Sequence, residues 1–370
     1  MIKGFGTLKG MGSFAKRFPE ASKADYFRKI DKLVLSSIGL GTYLGEMDDA
    51  TDQTSYQSTV QCFKSGVNVI DSAINYRGQR SERVIGKALY DLIEQNKLIR
   101  EEIFLSTKGG FIPFDVDYPS NPADYFSKNY IESGILKEED VVQGCHAMTP
   151  KYLDNQIERS LRNLGVDTID LYYVHNPETQ LEGLSEEEFY DHLTKAFGLL
   201  EKKVSEGKIK MYGAATWNGL RISHEAKGYL SFKKVIEAAI HAGGADHHFK
   251  AIQLPYNLGM PEALTNQNQA WEGEAVSAIE FARRAGLLAF TSASLLQGRL
   301  AQRIPDKIRS LFPECFSQAA CALQFVRSTP GVTTALVGMK SLSHVSENLN
   351  LAQVPPLNEE AFANLFASRP

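Results

Sequence analysis

Residues 67–96, VNVIDSAINYRGQRSERVIGKALYDLIEQN, contain the pattern that decides the fold of this chain. The apolar run at 67–71 predicts a short buried strand, which ends directly in Asp71. Residues 80–96 then place apolar side chains at helical spacing, namely Val84, Ile85, Ala88, Leu89, Leu92 and Ile93. A strand followed by an amphipathic helix is one unit of an α/β protein.

The same unit recurs along most of the chain. Further apolar runs predict strands at 36–41, 103–107, 168–174, 209–215, 250–254, 287–291 and 333–337. Helical patterns lie at 52–66, 150–164, 186–206, 231–242, 272–285, 314–328 and 341–350. Eight such units favour a single-domain (β/α)8 TIM barrel. A doubly wound open sheet is the alternative, but GLGTYLG at 39–45 lacks the glycine fingerprint that it requires.

Four polar residues follow the second, third and fourth of these strands. Asp71 and Tyr76 lie in VIDSAINY, Lys108 in IFLSTKGG and His175 in DLYYVHNP. In a barrel the chemistry is located at the carboxyl ends of the strands, so we expect these side chains to meet. Hydride that arrives at a carbonyl carbon leaves negative charge on the oxygen, which must be stabilised and protonated. An aspartate, a tyrosine, a lysine and a histidine supply what carbonyl reduction needs.

Each of the four has an expected role in that reaction. Tyr76 is the proton donor, because a nearby ammonium favours phenolate and makes the phenol more acidic. Lys108 is the ammonium, Asp71 keeps it charged, and His175 hydrogen-bonds the substrate oxygen. The structural alternatives are a helix cap for Asp71 and core positions for Tyr76 and His175. A buried lysine needs a partner, so Lys108 is the hardest to explain structurally.

Composition and charge fit an enzyme that acts on a small molecule. The 370 residues are 43% hydrophobic and carry a net charge of −4, which gives no electrostatic basis for binding nucleic acid or anionic lipid. No apolar run reaches the length of a membrane span, and no signal peptide is recognisable. The cysteines, at 62, 145, 315 and 321, form no CxxC pair, which favours a reducing compartment. We expect a cytoplasmic protein.

The predicted organisation is one barrel with two extensions. Residues 1–30 are expected to form a flexible, basic N-terminal arm, since GFGTLKG at 4–10 lacks the preceding strand of a phosphate-binding loop. The barrel spans residues 31–352. Residues 353–370 form a C-terminal tail with the apolar spacing of a helix.

Long loops interrupt the repeat at the carboxyl ends of the strands. Residues 109–149 contain the aromatic residues Phe111, Phe114, Tyr118, Tyr125, Phe126 and Tyr130. Loops of this length are usually functional or disordered, and the aromatic content predicts an ordered wall of the substrate pocket. The alternative is a packed surface excursion. Loops at 43–50, 216–230 and 255–271 would complete the pocket.

These motifs, in this order, resemble those of the aldo-keto reductase family. The likeness covers about residues 32–351 and is carried by GLGT (39–42), IDSAINY (70–76), SERVIGKAL (81–89), STKGG (106–110) and LYYVHN (171–176). It implies a (β/α)8 barrel that binds a nicotinamide dinucleotide without a Rossmann domain. It also implies that Asp71, Tyr76, Lys108 and His175 form the catalytic tetrad.

The resemblance further implies residues that bind the cofactor. Gln253 in IQLPYN corresponds to the family glutamine that hydrogen-bonds the nicotinamide carboxamide. Thr216 stands where the family often has Ser-Asn, and Ser292 where it often has a stacking aromatic ring. Other expected contacts at the first and seventh strands are Gly41, Thr42, Ser294, Leu295, Gln297, Gly298 and Arg299.

The segment VGMKSLSHVSENL, 337–349, is similar to the family segment at the adenosine end of the cofactor. Its expected contacts are Gly338, Lys340, Ser341, His344, Glu347 and Asn348. A cation and a hydroxyl at Lys340 and Ser341 would hold a 2′-phosphate, which favours NADPH (NADP+) over NADH. The alternative is that both residues merely begin the last helix.

The sequence therefore predicts an NADPH-dependent oxidoreductase that interconverts an aldehyde or ketone and an alcohol. Two alternatives remain open: an NAD-dependent sugar or polyol dehydrogenase, and a low-turnover cofactor-sensing binding protein. No metal is expected, because hydride transfer needs none, and Asp246-His247-His248 is typical of a solvated loop. The substrate, the reaction direction and the oligomeric state stay open.

Overall fold

The computed structural model describes residues 1–367, in which eight parallel strands close into a barrel. The strands are β1 (Ile38–Gly41), β2 (Val69–Asp71), β3 (Phe104–Gly109), β4 (Ile169–His175), β5 (Ile209–Ala215), β6 (Phe249–Pro255), β7 (Leu288–Ser292) and β8 (Val332–Gly338). Each strand pairs with its neighbours in the chain, and β8 pairs with β1 to complete the ring. The predicted (β/α)8 TIM barrel is confirmed, and the open sheet is excluded.

A main helix follows each strand along the chain. The helices are α1 (Asp49–Lys64), α2 (Arg80–Glu94), α3 (Pro150–Leu164), α4 (Glu186–Ser205), α5 (Phe232–Gly243), α6 (Ala278–Arg284), α7 (Gln318–Ser328) and α8 (Leu342–Leu349). The bounds of α3 are those predicted, because a proline begins it and Gly165, in the left-handed conformation, ends it. Within residues 1–367, no helix combines the length and the apolar character needed to cross a membrane.

Apolar side chains fill two layers. Inside the barrel, Val69, Leu171, Phe104 and Phe290 belong to one buried cluster, in which the two phenylalanine rings stack with centroids 5.8 Å apart. A larger cluster, which includes Ile70, lies between the strands and the helices. Successive strand side chains point to opposite faces, so each strand supplies both layers. Polar side chains then concentrate at the carboxyl ends of the strands.

The first 36 residues are folded against the barrel, whereas the sequence predicts a flexible arm over 1–30. They form two helices, Leu8–Lys16 and Pro19–Lys23, and an antiparallel hairpin of Phe27–Ile30 with Leu33–Ser36. Met11 and Leu35 are fully buried and join the cluster inside the barrel. The lysines of this segment are exposed, whereas Arg28 is half-buried and donates to the backbone carbonyls of Thr333 and Arg327. The apolar residues of the segment close the floor of the barrel.

The predicted helix over 272–285 is wrong in its first part. Gln269–Trp271 and Glu274–Val276 pair as an antiparallel hairpin, and α6 begins only at Ala278. Glu272 and Gly273 turn the hairpin with φ of +48° and +90°, which is the left-handed region. Gly273 within the turn permits this geometry, and the turn prevents a helix from starting at residue 272.

Most of the insertion at 109–149 packs on the outside of the barrel. Tyr130 is buried, donates a hydrogen bond to the Pro113 carbonyl (3.2 Å) and packs edge-on against Tyr152 of α3. Of the aromatic residues in this insertion, Phe111 lines the cavity described below. The expected substrate wall is therefore limited to Phe111, and the rest is the packed excursion.

The C-terminal tail contains a helix, Glu359–Ala367. Phe362 is buried, and its ring centroid lies 5.6 Å from that of Phe325 in α7. The tail thus packs on the side of the barrel, a position that its own sequence does not determine.

Candidate active site

The carboxyl ends of the strands surround a cavity of about 720 Å³. It extends from Tyr76 and His175, at the ends of β2 and β4, to Glu347 and Asn348 on α8. The cavity is long enough to join the predicted catalytic residues to the predicted adenosine residues, which are far apart in sequence.

Asp71 and Lys108 form a buried ion pair beneath this cavity. The Lys108 Nζ lies 2.5 Å from Asp71 Oδ2 and donates a second hydrogen bond to the Ser72 carbonyl at 2.7 Å. Burial by itself lowers the pKa of Lys108, but the neighbouring Asp71 and Tyr76 outweigh it, so the net pKa is raised. Lys108 is therefore an ammonium at neutral pH.

The second carboxylate oxygen of Asp71 is also satisfied. Asp71 Oδ1 accepts hydrogen bonds from the Ser106 hydroxyl (2.8 Å) and from Gln253 Nε2 (3.0 Å). The β2–β3 register pairs Asp71 with Ser106 directly, which explains the first contact. Sequence reasoning missed Ser106, although its place in STKGG beside a predicted catalytic lysine was a usable signal.

Tyr76 stands above the lysine. The Lys108 Nζ is 3.4 Å from the Tyr76 hydroxyl and 4.9 Å from the centroid of its ring. Burial raises the pKa of Tyr76, and Lys108 acts in the opposite direction without reversing the shift. The sequence predicts a lowered pKa for Tyr76, whereas its net pKa in the structure is raised. A raised pKa keeps the hydroxyl protonated at neutral pH, as a proton donor must be.

His175 faces Tyr76 across the same end of the barrel. The two ring centroids are 5.8 Å apart at an interplanar angle of 78°, and Phe111 also packs edge-on against His175. Burial, followed by the charge of Lys108 and the proximity of His146, lowers the pKa of His175 well below its usual value. Its imidazole is therefore neutral, and Nδ1 has no partner within residues 1–367.

Most of the predicted cofactor residues line the cavity. They are Gly41, Thr42, Thr216, Gln253, Ser292, Ser294, Leu295, Gln297, Gly298, Gly338, Lys340, His344, Glu347 and Asn348. The buried hydroxyl of Thr216 has no hydrogen-bond partner within the described residues, although it lines the cavity. A buried polar atom usually has a partner, so this orphaned hydroxyl fits a ligand such as a carboxamide. The residues present thus fit a nicotinamide dinucleotide.

Two of the predicted cofactor residues lie elsewhere. Arg299 is exposed at the start of a short helix, Arg299–Gln302, and does not line the cavity. Ser341 caps α8, and its hydroxyl accepts a hydrogen bond from the His344 backbone N–H at 3.3 Å. Ser341 therefore has the helix-starting role that the sequence left open.

A buried carboxylate holds the loop that follows β5. Glu178 Oε1 accepts hydrogen bonds from the backbone N–H groups of Trp217, Asn218 and Gly219 at 2.7, 3.0 and 3.2 Å. Burial raises the pKa of Glu178, although these three N–H groups lower it in part. The contact fixes the backbone beside Thr216, and nothing in the sequence spacing predicts it.

Arg77, next to Tyr76, is a further residue that sequence reasoning missed. Its buried guanidinium donates to the Glu46 carbonyl (2.7 Å) and pairs with Asp52 of α1 at 2.5 Å. Arg77 thereby joins the β1–α1 loop to the β2–α2 loop along one wall of the cavity.

No group of three His, Cys, Asp or Glu side chains within residues 1–367 is arranged to hold a metal ion. In the Asp246-His247-His248 stretch, His248 Nδ1 instead lies 2.7 Å from Glu201 Oε2 of α4.

Comparisons with known proteins agree with this fold. The model of the aldo/keto reductase family matches residues 37–242, more than half of the chain. The chain therefore belongs to the aldo/keto reductase family, a family of oxidoreductases.

Curated relatives are distant. The NADH-specific methylglyoxal reductase of Escherichia coli is 26% identical over 191 residues, which is 50% of this chain and 49% of that protein. Norsolorinic acid reductase A of Aspergillus parasiticus is 24% identical over 349 residues, covering 92% of this chain and 78% of that protein. The chain thus matches about half the length of the first relative and most of the second.

Solved structures share the fold. An aldo/keto reductase from Klebsiella pneumoniae in complex with NADP and acetate gives a TM-score of 0.59 at 21% identity, over 91% of this chain and 92% of that chain. The holo form of an aldo-keto reductase from Bacillus halodurans gives 0.62 at 20% identity, over 92% and 95% of the two chains.

Proposed function

We propose that this protein is an NADPH-dependent oxidoreductase that interconverts an aldehyde or ketone and an alcohol, with Tyr76 as the proton donor. One observation carries the proposal: the Asp71–Lys108 ion pair lies directly beneath the Tyr76 hydroxyl at the carboxyl end of the barrel. Family membership supports the reaction class. Tyr76, Lys108, Asp71 and His175 are the residues to which we assign the chemistry.

The four side chains divide the work. The Tyr76 hydroxyl gives its proton to the substrate oxygen, and the Lys108 ammonium stabilises the phenolate that remains. Asp71 keeps Lys108 charged. Neutral His175 has a ring N–H to donate to the same substrate oxygen, which orients the carbonyl and stabilises its developing charge. Microscopic reversibility gives the reverse roles in alcohol oxidation.

A bound nicotinamide dinucleotide would supply the hydride. Gln253 and Thr216 would hold its carboxamide, the loop at 292–298 its pyrophosphate, and Asn348 its adenine. Because Gln253 already donates one amide hydrogen to Asp71, it would join the cofactor to the catalytic ion pair.

The preference between NADPH and NADH depends on the end of the cavity near α8, where the adenosine half of the cofactor would bind. Lys340 is exposed, lines the cavity and precedes Ser341, the cap of α8, so it can pair with a 2′-phosphate. The NADH-specific relative shows that the preference varies among related proteins. The lysine favours NADPH for this chain.

The test follows NADPH oxidation by absorbance with a reactive aromatic aldehyde such as p-nitrobenzaldehyde. The Tyr76→Phe variant should lose about 10²- to 10⁴-fold in kcat, the usual contribution of a general acid, while NADPH still quenches tryptophan fluorescence. The matched control is Tyr118→Phe, which removes a hydroxyl from an exposed tyrosine outside the cavity. Its turnover should equal that of the parent.

Two results would contradict the proposal. Parent-like turnover of Tyr76→Phe would remove the proton-donor assignment. An inactive parent that still binds NADPH would favour the cofactor-sensing alternative, and activity confined to polyols with NAD would favour the dehydrogenase.

A further inference from the structure

His146 is a fully buried histidine in the insertion between β3 and α3. Its Nε2 lies 2.7 Å from the backbone carbonyl oxygen of His175, the last residue of β4. The next residue, Asn176, adopts a left-handed conformation with φ of +44°, so the strand stops abruptly at His175. His146 therefore satisfies a carbonyl at the point where the β4 backbone turns away.

The second ring nitrogen of His146 is occupied as well. Gln180 Nε2, on the turn of helix after β4, lies 2.9 Å from His146 Nδ1 and 3.0 Å from the His146 carbonyl oxygen. An amide N–H donates, so Nδ1 accepts and the proton of the neutral ring resides on Nε2. The Gln180 contact thus sets the tautomer that can donate to His175.

The His146 ring is neutral at neutral pH. Burial lowers the pKa of His146 to about 4, and the hydrogen bond to the His175 carbonyl offsets only part of that shift. His146 therefore adds no charge to the site at neutral pH.

The surrounding backbone is shaped for this contact. Gly110 has φ of +149°, and a Cβ at that position would lie 2.8 Å from both His146 Nε2 and the His175 carbonyl oxygen. Phe111 packs edge-on against both histidine rings, with centroid distances of 5.1 Å to His146 and 5.0 Å to His175. Gly110 thus leaves room for the hydrogen bond, and the next residue, Phe111, packs against both histidine rings.

We propose that His146 is a positioning residue for His175: it holds the β4 terminus through the His175 carbonyl, and with Phe111 it fixes the direction of the His175 imidazole. The inference rests on the proposed function, in which His175 meets the substrate oxygen. The His175 ring needs such support, because its own Nδ1 has no hydrogen-bond partner within residues 1–367. Side chains that act on a reacting group lose rate when they are misplaced by about 1 Å.

The kinetic test uses three full-length variants. His146→Phe keeps a flat ring but removes the donor, whereas the amide of His146→Gln can return an N–H to the His175 carbonyl. His241→Phe, at an exposed position on α5, is the matched control. We expect His146→Phe to lose about 10- to 100-fold in kcat with p-nitrobenzaldehyde while the Kd of NADPH stays within about twofold. His146→Gln should recover most of the loss.

A second measurement does not depend on turnover. Nitrogen-15 NMR of the histidine rings in the nucleotide-free protein should show His146 as the Nε2–H tautomer, and the His175 ring signals should shift or broaden in His146→Phe. If His146→Phe does not fold, Gln180→Met serves instead, because it removes the donor that holds His146 Nδ1. The His146 ring should then be less firmly oriented, with broadened His146 and His175 ring signals and a smaller loss of kcat than in His146→Phe.

The proposal is overturned by a folded His146→Phe with parent-like kcat and unchanged His175 signals, or by His146→Gln that is no better than His146→Phe. Failure of the proposed function looks different. In that case the parent and Tyr76→Phe have equal rates, whereas the NMR signals still report whether His146 orients His175.

Discussion

At the scale of single residues, Asp71 determines the charge state of the site. Its two oxygens accept hydrogen bonds from Lys108, Ser106 and Gln253, so the buried carboxylate has no unsatisfied side. A buried ion pair adds little net stability, because desolvation offsets the attraction between the charges. Breaking such a pair is costly, however, since one charge then stays buried without its partner.

Asp71→Asn should therefore destabilise the protein by about 3 to 5 kcal/mol. The pH dependence should also change sign. In the parent the raised pKa of Lys108 gives stability that is present below the ordinary lysine pKa and lost as pH rises through the folded value. Without Asp71, burial lowers the Lys108 pKa, the unfolded state binds more protons, and stability rises with pH.

Denaturant unfolding at pH 7 and pH 9.5 measures both effects, because Lys108 leaves the stability of the parent unchanged over this range, whereas the stability of Asp71→Asn should rise. Asp191→Asn, which breaks the exposed pair between Asp191 and Lys195, is the matched control and should cost at most about 1 kcal/mol. Equal losses in the two variants at both pH values would contradict the prediction.

At the scale of elements, two neighbouring residues at the beginning of α8 have different roles: Ser341 caps the helix, and Lys340 lines the cavity. Ser341 caps the helix, so its hydroxyl is already used, and Lys340 is left as the cation at this end of the cavity. Asn348 lies two turns further on and is buried against the same cavity. Cofactor discrimination by this element should therefore depend on Lys340 and not on Ser341.

Lys340→Ala should weaken NADPH binding by about tenfold and leave NADH binding unchanged, because only NADPH carries the 2′-phosphate that a lysine would pair with. Fluorescence titration with both nucleotides measures the two dissociation constants. Lys340→Arg keeps the charge and should retain the preference. Equal weakening of both nucleotides by Lys340→Ala would remove the basis for NADPH.

At the scale of the whole molecule, the two ends of the barrel have different tasks. The cavity occupies the carboxyl ends of the strands, and the N-terminal helix and hairpin close the opposite end. Met11 and Leu35 reach the interior cluster from this floor. Stability and ligand binding are thereby separated along the barrel axis.

Met11→Ala should cost about 2 to 5 kcal/mol of stability, because a fully buried side chain leaves a cavity. The Kd of NADPH should not change, since the floor lies at the other end of the barrel. Leu8→Ala, at an exposed position on the same helix, is the control and should stay within about 0.5 kcal/mol. Urea denaturation compares the two, and equal stabilities would show that the floor does not support the barrel.

The sequence by itself determined the barrel and the residues at its strand ends. Strand and helix periodicity is local, so each βα unit can be read without knowing its neighbours, and Asp71, Lys108 and His175 follow from where the strands end. The hairpin at 269–276 was not predicted from the sequence. Its apolar pattern resembles that of a helix, but a two-residue turn at Glu272-Gly273 interrupts it.

Only the tertiary structure decided which distant groups meet. His146 reaches the His175 carbonyl from 29 residues away, and Gln253 reaches Asp71 across 182 residues. The sequence predicts a flexible arm for the N-terminal segment, but in the structure Met11 is buried against the interior cluster and the segment forms the floor of the barrel. The physical reason is the same in each case: hydrogen bonds and burial depend on positions in space, and a sequence pattern reports only the positions within one element.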